Sequence, residues 1–349
     1  MSLHPNNRQS GAGAPLPSSP TGASWLLRSG PWLLGLLILS GLIVAIAHRG
    51  EIASFAQLIN RAAPAWLVAG VFLQVGTYFS TAAVWFLTLR RAGINYRMLP
   101  LVPLGVAKLF SDQALPSGGM SGTAFFVAAL NRRGVPTQLC MAALLVSLVS
   151  YYAAYLLVAV LSLALLWFYH AANAWIVGVI TLFCVAAVAI PAGTLWLQRR
   201  GGKKLPAWVK RIPGLKKLLE SLGSAPGYLL RDAALLTQTT LFQTIIFVLD
   251  SATLWVMLRA IGQEVSFLAV FPCFVVASAV ATLGPIPLGL GTFEATCVAI
   301  LRALGVGLEA ALTATLLLRG FTLWLPMLPG LWLARRELIR KEPDRLAEV

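Results

Sequence analysis

The chain alternates long apolar runs with short clusters of basic residues. A bilayer-spanning helix requires roughly 20 consecutive apolar residues, and several stretches of this chain meet that requirement. The pattern therefore predicts an all-α polytopic membrane protein whose spans form one helical bundle. The predicted spans extend over about residues 65–89, 139–168, 174–197, 233–258 and 309–333.

The first 30 residues differ from the rest of the chain. Residues 1–30 are rich in Pro, Ser, Gly and Asn, which predicts a disordered leader. The apolar run Pro31–Ala47 follows, and Ala45-Ile46-Ala47 resembles a small-x-small cleavage site, so this run can be read as a signal-peptide core. We favour an uncleaved first span, because the leader is long and the distribution of basic residues fits a retained span.

Composition and charge support a membrane assignment and exclude a soluble surface. Of the 349 residues, 58% are hydrophobic and only 11% are charged, which leaves too little polar material to cover a water-soluble globule. The net charge of +15 lies in clusters that flank the apolar runs, as the positive-inside rule describes. We therefore expect a multi-pass protein of the cell (inner or plasma) membrane that does not bind nucleic acid.

The basic clusters also predict the orientation of the chain. We place the leader, residues 90–97, Arg132-Arg133, the basic loop 198–232 and the tail 336–349 in the cytoplasm, so both termini are cytoplasmic. The basic loop mixes apolar residues with lysines, as an interfacial segment on an anionic leaflet does. A solvated loop that only sets topology fits the same pattern. Residues 31–335 form the membrane domain in this scheme.

Two segments within the membrane domain are interrupted by Gly and Pro. They read LPSGGMSGTAFF (Leu115–Phe126) and LGPIPLGLGTFEA (Leu283–Ala295), and in each a Gly-Thr pair falls six residues after a Pro. The predicted orientation requires both segments to enter and leave on one side, as re-entrant or broken helices do. We therefore predict inverted halves at about 65–197 and 233–335, an architecture common among secondary transporters.

Charged residues near these interruptions are the candidates for a polar pathway. A charge deep in a bilayer costs at least about 2.5 to 3.5 kcal/mol, so each one needs a partner or a water-lined cavity. Both a substrate-facing role and a structural ion pair (Lys108–Asp112, Glu294–Arg319) remain open. Glycine N–H groups at the interruptions suit an anionic group such as a phosphate. The candidate residues are Lys108, Asp112, Gly118, Gly119, Gly122, Asp250, Gly289, Gly291, Glu294 and Arg319.

Other chemistry leaves little trace in the sequence. The four cysteines lack a metal-binding spacing and the three histidines are isolated, so we expect no metal, no cofactor and no catalytic constellation. The chain contains no GxxxxGK[ST] phosphate loop, so ATP is not expected to be a direct energy source. Trp85, Trp255, Trp324 and Trp332 are expected in the aromatic belts at the membrane interfaces.

The C-terminal half carries a motif that resembles a known family. A P-x-P-x-G-x-G-x-x-E element is followed by a loop Gly, an Arg, a Trp-Leu-Pro and a final Gly, and this series resembles the lysylphosphatidylglycerol synthase transmembrane, or flippase-like, family. The N-terminal half (LFSDQALPSGGMSGTAFFVAALNRRGVP) has a similar layout, so the resemblance covers about residues 30–335. The matching positions are Pro285, Pro287, Gly289, Gly291, Glu294, Gly305, Arg319, Trp324, Pro326 and Gly330.

The resemblance implies a lipid-translocating membrane domain. Its cargo would be an anionic or aminoacylated phospholipid, or an amphiphile such as a hopanoid. Family members often carry a charged residue in the span after the first interruption, where this chain has Ser147, Ser150 and Tyr151. The chain ends soon after its last predicted span, so we do not expect the soluble aminoacyl-transferase activity, and we expect a transporter instead of an enzyme. A membrane-embedded enzyme and a non-transporting partner in lipid or envelope biosynthesis are the alternatives.

Overall fold

The structure is a computed structural model that describes residues 62–114, 120–168, 174–199, 226–284 and 289–339. In these ranges all regular secondary structure is helical, and short loops and turns join the helices. The predicted leader, the first apolar run, most of the basic loop and the end of the tail lie outside these ranges. The described helices are α1 (Pro64–Arg91), α2 (Leu101–Ala114), α3 (Met120–Asn131), α4 (Thr137–Phe168), α5 (Ala174–Arg199), α6 (Ala233–Ala260), α7 (Phe267–Leu283), α8 (Thr292–Ala303), α9 (Leu308–Arg319) and α10 (Leu325–Ile339).

Within the described ranges, five helical stretches are long and apolar enough to cross a membrane. They coincide with the five predicted spans, although most extend a few residues further at one end or both. The protein is therefore a multi-pass membrane protein. The stretches are Pro64–Arg91, Thr137–Phe168, Ala174–Gly193, Ala233–Ala260 and Leu308–Glu337. In the last stretch, α9 and α10 are joined by a π-helical turn, Gly320–Trp324.

The ends of these helices follow from local chemistry. Helix α1 begins at Pro64, whose missing N–H is harmless in the first turn, and its last turn carries Arg90 and Arg91, which favour the negative helix end. Helix α6 is capped by Asp232, which accepts a hydrogen bond from the Leu235 N–H at 3.0 Å. Arg91 Nε lies 3.2 Å from Asp232 Oδ2, so the end of α1 and the start of α6 meet.

Four shorter helices form two hairpins. Helices α2 and α3 have 14 and 12 residues, and α7 and α8 have 17 and 12. At 1.5 Å per residue these lengths are roughly 18 to 26 Å, which is less than the roughly 30 Å of a hydrocarbon core. Each pair folds back on itself: the Ser121 hydroxyl donates to the Ser111 carbonyl at 2.7 Å, and the rings of Phe274 and Phe293 lie 5.8 Å apart.

The two hairpins open toward opposite ends of the bundle. Arg133, just after α3, donates to the Pro100 carbonyl just before α2 at 3.0 Å and also contacts Glu337 of α10; we call this end, with Arg91, Arg133 and Arg336, the arginine end. The other end is marked by the Ala63 N–H, which donates to the Ala260 carbonyl at 2.9 Å. Helix α7 starts from this Ala63 end, directly after α6.

This arrangement brings Arg91, Arg133 and Arg336 from separate parts of the chain to one end, as the positive-inside argument requires of basic residues on one face of a membrane, whereas Arg259 lies at the Ala63 end. That the arginine end is cytoplasmic stays a prediction. Whether the hairpins re-enter a bilayer, and whether the halves are inverted repeats, also stay predictions.

Candidate functional site

A cavity of about 580 Å³ lies inside the bundle. Its walls come from α1, α2, α4 and α6, with Thr123 of α3 and Thr322 of the π-helical turn at its edge. Polar and charged side chains face a space bounded by three membrane-spanning helices and the short helix α2, where such groups are costly unless they have partners or water. Among the residues that line it are Gln74, Lys108, Asp112, Tyr151, Gln243 and Asp250.

Lys108 and Asp112 connect this cavity to the first hairpin. They lie one turn apart on α2, and Lys108 Nζ is 2.7 Å from Asp112 Oδ2. The other carboxylate oxygen, Oδ1, accepts a hydrogen bond from the Gly122 N–H at 2.9 Å. Asp112 thus satisfies an N–H group in the first turn of α3, where a negative charge also favours the helix dipole.

Gly122 is where α3 approaches the Asp112 carboxylate most closely, because a Cβ at this position would overlap it. We expect Gly122→Ala to displace Asp112 and to lower the free energy of unfolding by about 1 to 3 kcal/mol, as overpacking usually does. Thermal unfolding of the purified protein measures the effect. Gly178→Ala on α5 is the control, because a Cβ there meets open space and alanine favours a helix. Equal unfolding temperatures for both variants would contradict the close contact.

Asp250 is the second carboxylate that lines the cavity. Its Oδ1 accepts a hydrogen bond from Gln74 Nε2 of α1 at 3.0 Å, and the same nitrogen lies 3.0 Å from Thr253 Oγ1. The bonds join α1 to α6 across 176 residues of sequence. Tyr78 and Tyr151 line the same space, so aromatic rings and neutral hydrogen-bonding groups surround this carboxylate.

The second hairpin carries a separate ion pair. Arg319 Nε donates to Glu294 Oε1 at 2.5 Å, and Glu294 Oε2 accepts from the Gly291 N–H at 2.6 Å. Gly291 precedes the first turn of α8 with a φ of 84°, a conformation that favours glycine. The Arg319 guanidinium also donates to the Gly289 carbonyl at 3.3 Å and lies 4.2 Å from the Phe293 ring centroid.

The two hairpins therefore share one local arrangement of hydrogen bond and ion pair, built from different residues. In each, a carboxylate bridges a glycine N–H at the start of the second helix and a basic side chain, either Lys108 or Arg319. These two N–H groups are consequently occupied by Asp112 and Glu294, although the glycine pattern of the sequence predicts that they receive a phosphate.

The predicted site residues fall into two groups. Lys108, Asp112 and Asp250 line the cavity. Glu294 and Arg319 are joined in the second hairpin with Gly289 and Gly291 nearby, and none of these four lines the cavity. Gly118 and Gly119 lie outside the described residues. A role for any of these residues in substrate binding stays a prediction.

Several lining residues are not candidates in the sequence analysis. These residues are uncharged, and uncharged polar residues are common in apolar helices. A polar side chain in a span that also carries a charged residue is the sequence feature that could have identified them. Trp85, which the sequence assigns to an interface belt, is 2% exposed and packs on Phe126 with ring centroids 4.5 Å apart. Trp324 and Trp332 are 64% and 60% exposed. The lining residues found only in the structure include Gln74, Tyr78, Trp85 and Gln243.

Within the described ranges, no three His, Cys, Asp or Glu side chains are placed to hold a metal ion together. The chemistry of the cavity is therefore set by one ion pair, one further carboxylate, and neutral donors and acceptors. Such a lining can bind and orient a polar group.

Comparison with known protein families agrees with this architecture. Residues 32–330 match the family model described as the lysylphosphatidylglycerol synthase TM region. No individual curated protein matches the chain. The match covers most of the sequence, including both hairpins, the first four described spans and the fifth as far as residue 330, and no soluble domain is part of it. The chain therefore belongs to the lysylphosphatidylglycerol synthase transmembrane-region family.

Proposed function

We propose that this protein moves a phospholipid or a similar amphiphile between the two leaflets of a cell membrane. The observation that carries the proposal is the polar cavity inside the bundle. Its volume of about 580 Å³ falls in the range of about 300 to 1,000 Å³ that is typical of small-molecule sites. A headgroup can occupy such a space while its acyl chains remain in the lipid.

Lys108 is the group best suited to hold a headgroup phosphate. An ammonium group has three N–H donors, and in the described part of the chain one of them is used, by Asp112. The side chain of Lys108 is 25% exposed and faces the cavity. The remaining donors are therefore available to a phosphate, and the partner lipid is an anionic or aminoacylated phospholipid or a hopanoid-like amphiphile.

The test is a leaflet-resolved assay in liposomes that contain the purified protein. A lipid with a labelled headgroup is placed in one leaflet, and an impermeant reagent reports its arrival in the other. We expect Lys108→Met to slow translocation about tenfold, which corresponds to roughly 1.4 kcal/mol. Arg302→Met is the matched control, because Arg302 is an exposed cation at the end of α8, away from the cavity lining.

Two results would count against the proposal. The first is a translocation rate that is the same with and without protein for several headgroups. The second is chemical conversion of a lipid by the purified protein, lost in a Glu294→Gln variant whose unfolding temperature is unchanged, which would assign the membrane domain to an enzyme.

A further inference from the structure

Asp250 differs from the other acidic side chains of the hairpins and cavity because it forms no ion pair with a basic group of the described residues. Asp112 is paired with Lys108, and Glu294 with Arg319. In the described part of the chain, the one hydrogen-bond partner of the Asp250 carboxylate is the neutral amide of Gln74. Among the described lining residues Lys108 is the one basic residue, so this part of the lining contains one positive and two negative groups.

The orientation of the Gln74 amide is fixed by its surroundings. The Thr253 hydroxyl donates its hydrogen to the Leu249 carbonyl at 2.8 Å, so Thr253 Oγ1 can only accept from Gln74. The amide nitrogen of Gln74 therefore faces both Thr253 Oγ1 and Asp250 Oδ1. This leaves Asp250 Oδ2 as the oxygen that is not hydrogen-bonded within the described residues.

The Asp250 carboxylate, which has no ion-pair partner among the described residues, makes closure of the cavity energetically costly. Moving a lipid headgroup across a bilayer requires the cavity to open toward one side and then toward the other, and the site is shielded from water in between. A carboxylate is expensive to remove from water unless it is paired or neutralised. Asp250 must therefore take up a positive charge each time the cavity is closed.

A proton fits the groups around Asp250 better than a metal cation. Sodium and similar cations need several oxygen ligands, whereas the fixed neighbour of Asp250 is an N–H donor. Oδ2 can accept a proton and form an O–H bond without any rearrangement of Gln74. The neutral carboxyl group that results can then be shielded from water at much lower cost.

Among the titratable groups that face the cavity, Asp250 is the one best suited to bind and release a proton. Tyr78 of α1, Tyr151 of α4 and the Lys108–Asp112 pair of α2 face the same cavity. Helices α7 and α9 also pack on α6, but within the described residues they supply no titratable side chain to the cavity lining. The tyrosines are neutral at physiological pH, and Asp112 is held by an ion pair and a backbone N–H.

We propose that Asp250 is the binding site of a coupling proton: its Oδ2 takes a proton from water on one side of the membrane and releases it to the other as the cavity reopens. The proposal rests on the lipid-moving function proposed above. It adds a driving force, because each translocation step then carries one proton across the membrane with, or against, the lipid.

The experiment uses the full protein in liposomes with phosphatidylglycerol as cargo, because this headgroup has no amine. A pH gradient is imposed in either direction, and translocation is followed as above. We expect the wild-type rate to differ several-fold between the two gradient directions, and Asp250→Asn to respond equally to both. Asp232→Asn is the control, because Asp232 caps the same helix outside the cavity lining and asparagine also caps helices.

An isotope-edited infrared measurement reads the proton without any transport. We expect the wild-type spectrum in acidic buffer, after subtraction of the Asp250→Asn spectrum, to contain the absorption of one protonated carboxyl group, since the bands of the other carboxyl groups are common to both proteins and cancel. If no such band appears in the difference spectrum, the proposal is overturned.

The transport outcomes separate the two proposals. Wild-type protein that moves phosphatidylglycerol equally in both pH gradients, or that follows a sodium gradient instead, overturns proton coupling and leaves the lipid-moving function intact. Movement restricted to lipids with an ammonium group, independent of pH, would instead assign Asp250 to the headgroup. If no lipid moves under any gradient, both proposals fail.

Discussion

Glu294→Ala is expected to destabilise the protein by about 3 to 5 kcal/mol, because it removes the carboxylate that pairs with the buried Arg319 cation. The Arg319 side chain is 11% exposed and the Glu294 side chain 19%, so little water can replace the lost carboxylate. The Gly291 N–H loses its acceptor at the same time, which removes the cap at the start of α8. The measurement is thermal unfolding of the purified protein in detergent.

A matched exposed pair and a double variant make this result specific. Glu264 lies 3.8 Å from Arg259, but its side chain is 90% exposed, so Glu264→Ala should change stability by less than about 0.5 kcal/mol. Glu294→Leu combined with Arg319→Leu should recover much of the loss, since no unpaired charge remains. If Glu294→Ala unfolds at the wild-type temperature, the pair is not a structural contact of the second hairpin.

Arg133→Ala should loosen the arginine end of the bundle and cost a similar amount, about 3 to 5 kcal/mol. The Arg133 side chain is 5% exposed. Its guanidinium contacts both carboxylate oxygens of Glu337 and donates to the Tyr96 hydroxyl at 3.1 Å. It thereby joins the loop before α2, the loop after α3 and the end of α10. We expect faster hydrogen exchange in all three segments, together with a lower unfolding temperature.

The charge state of Arg133 does not limit this prediction. Burial disfavours the cation, but hydrogen bonds to Glu337 and Tyr96 outweigh it and raise the pKa of the guanidinium above its usual value. A raised pKa means that the stabilising contribution is fully present below the ordinary arginine pKa and is lost only above it. Arg97→Ala is the control, because Arg97 is exposed on the same loop. Unchanged exchange at residues 92–100 in Arg133→Ala would contradict the predicted link.

The membrane spans can be predicted from the sequence because the pattern that marks them is local. A run of apolar residues between basic clusters predicts a membrane helix without any knowledge of its neighbours, and the ends of α4 and α6 fall within two residues of the predicted ones. The two interruptions were visible for the same reason, since Gly and Pro act on the backbone where they stand. Lys108 and Asp112 are four residues apart, so their pairing follows from helix geometry alone.

The cavity was not accessible in this way, because it depends on which faces of distant helices meet. Gln74 and Asp250 are 176 residues apart, and nothing near Gln74 in the sequence marks it as the partner of a carboxylate. The place of Glu294 likewise depends on how α8 packs against α9, since it contacts Arg319 and lies outside the cavity lining. The charge of these residues identifies them as candidates in the sequence. The packing of the helices decides which of them line the cavity and which form the ion pair of the second hairpin.

The π-helical turn between α9 and α10 changes the angular register of the last span. Such a turn holds one residue more than an α-helical turn, so every side chain after it is rotated by about 100° relative to an uninterrupted helix. Before the turn, Arg319 reaches the second hairpin. After it, Gly330 packs so tightly on Phe110 of the first hairpin that a Cβ at Gly330 would lie 2.6 Å from the Phe110 Cβ. One extra residue thus allows a single transmembrane helix to contact both hairpins, which open toward opposite ends of the bundle.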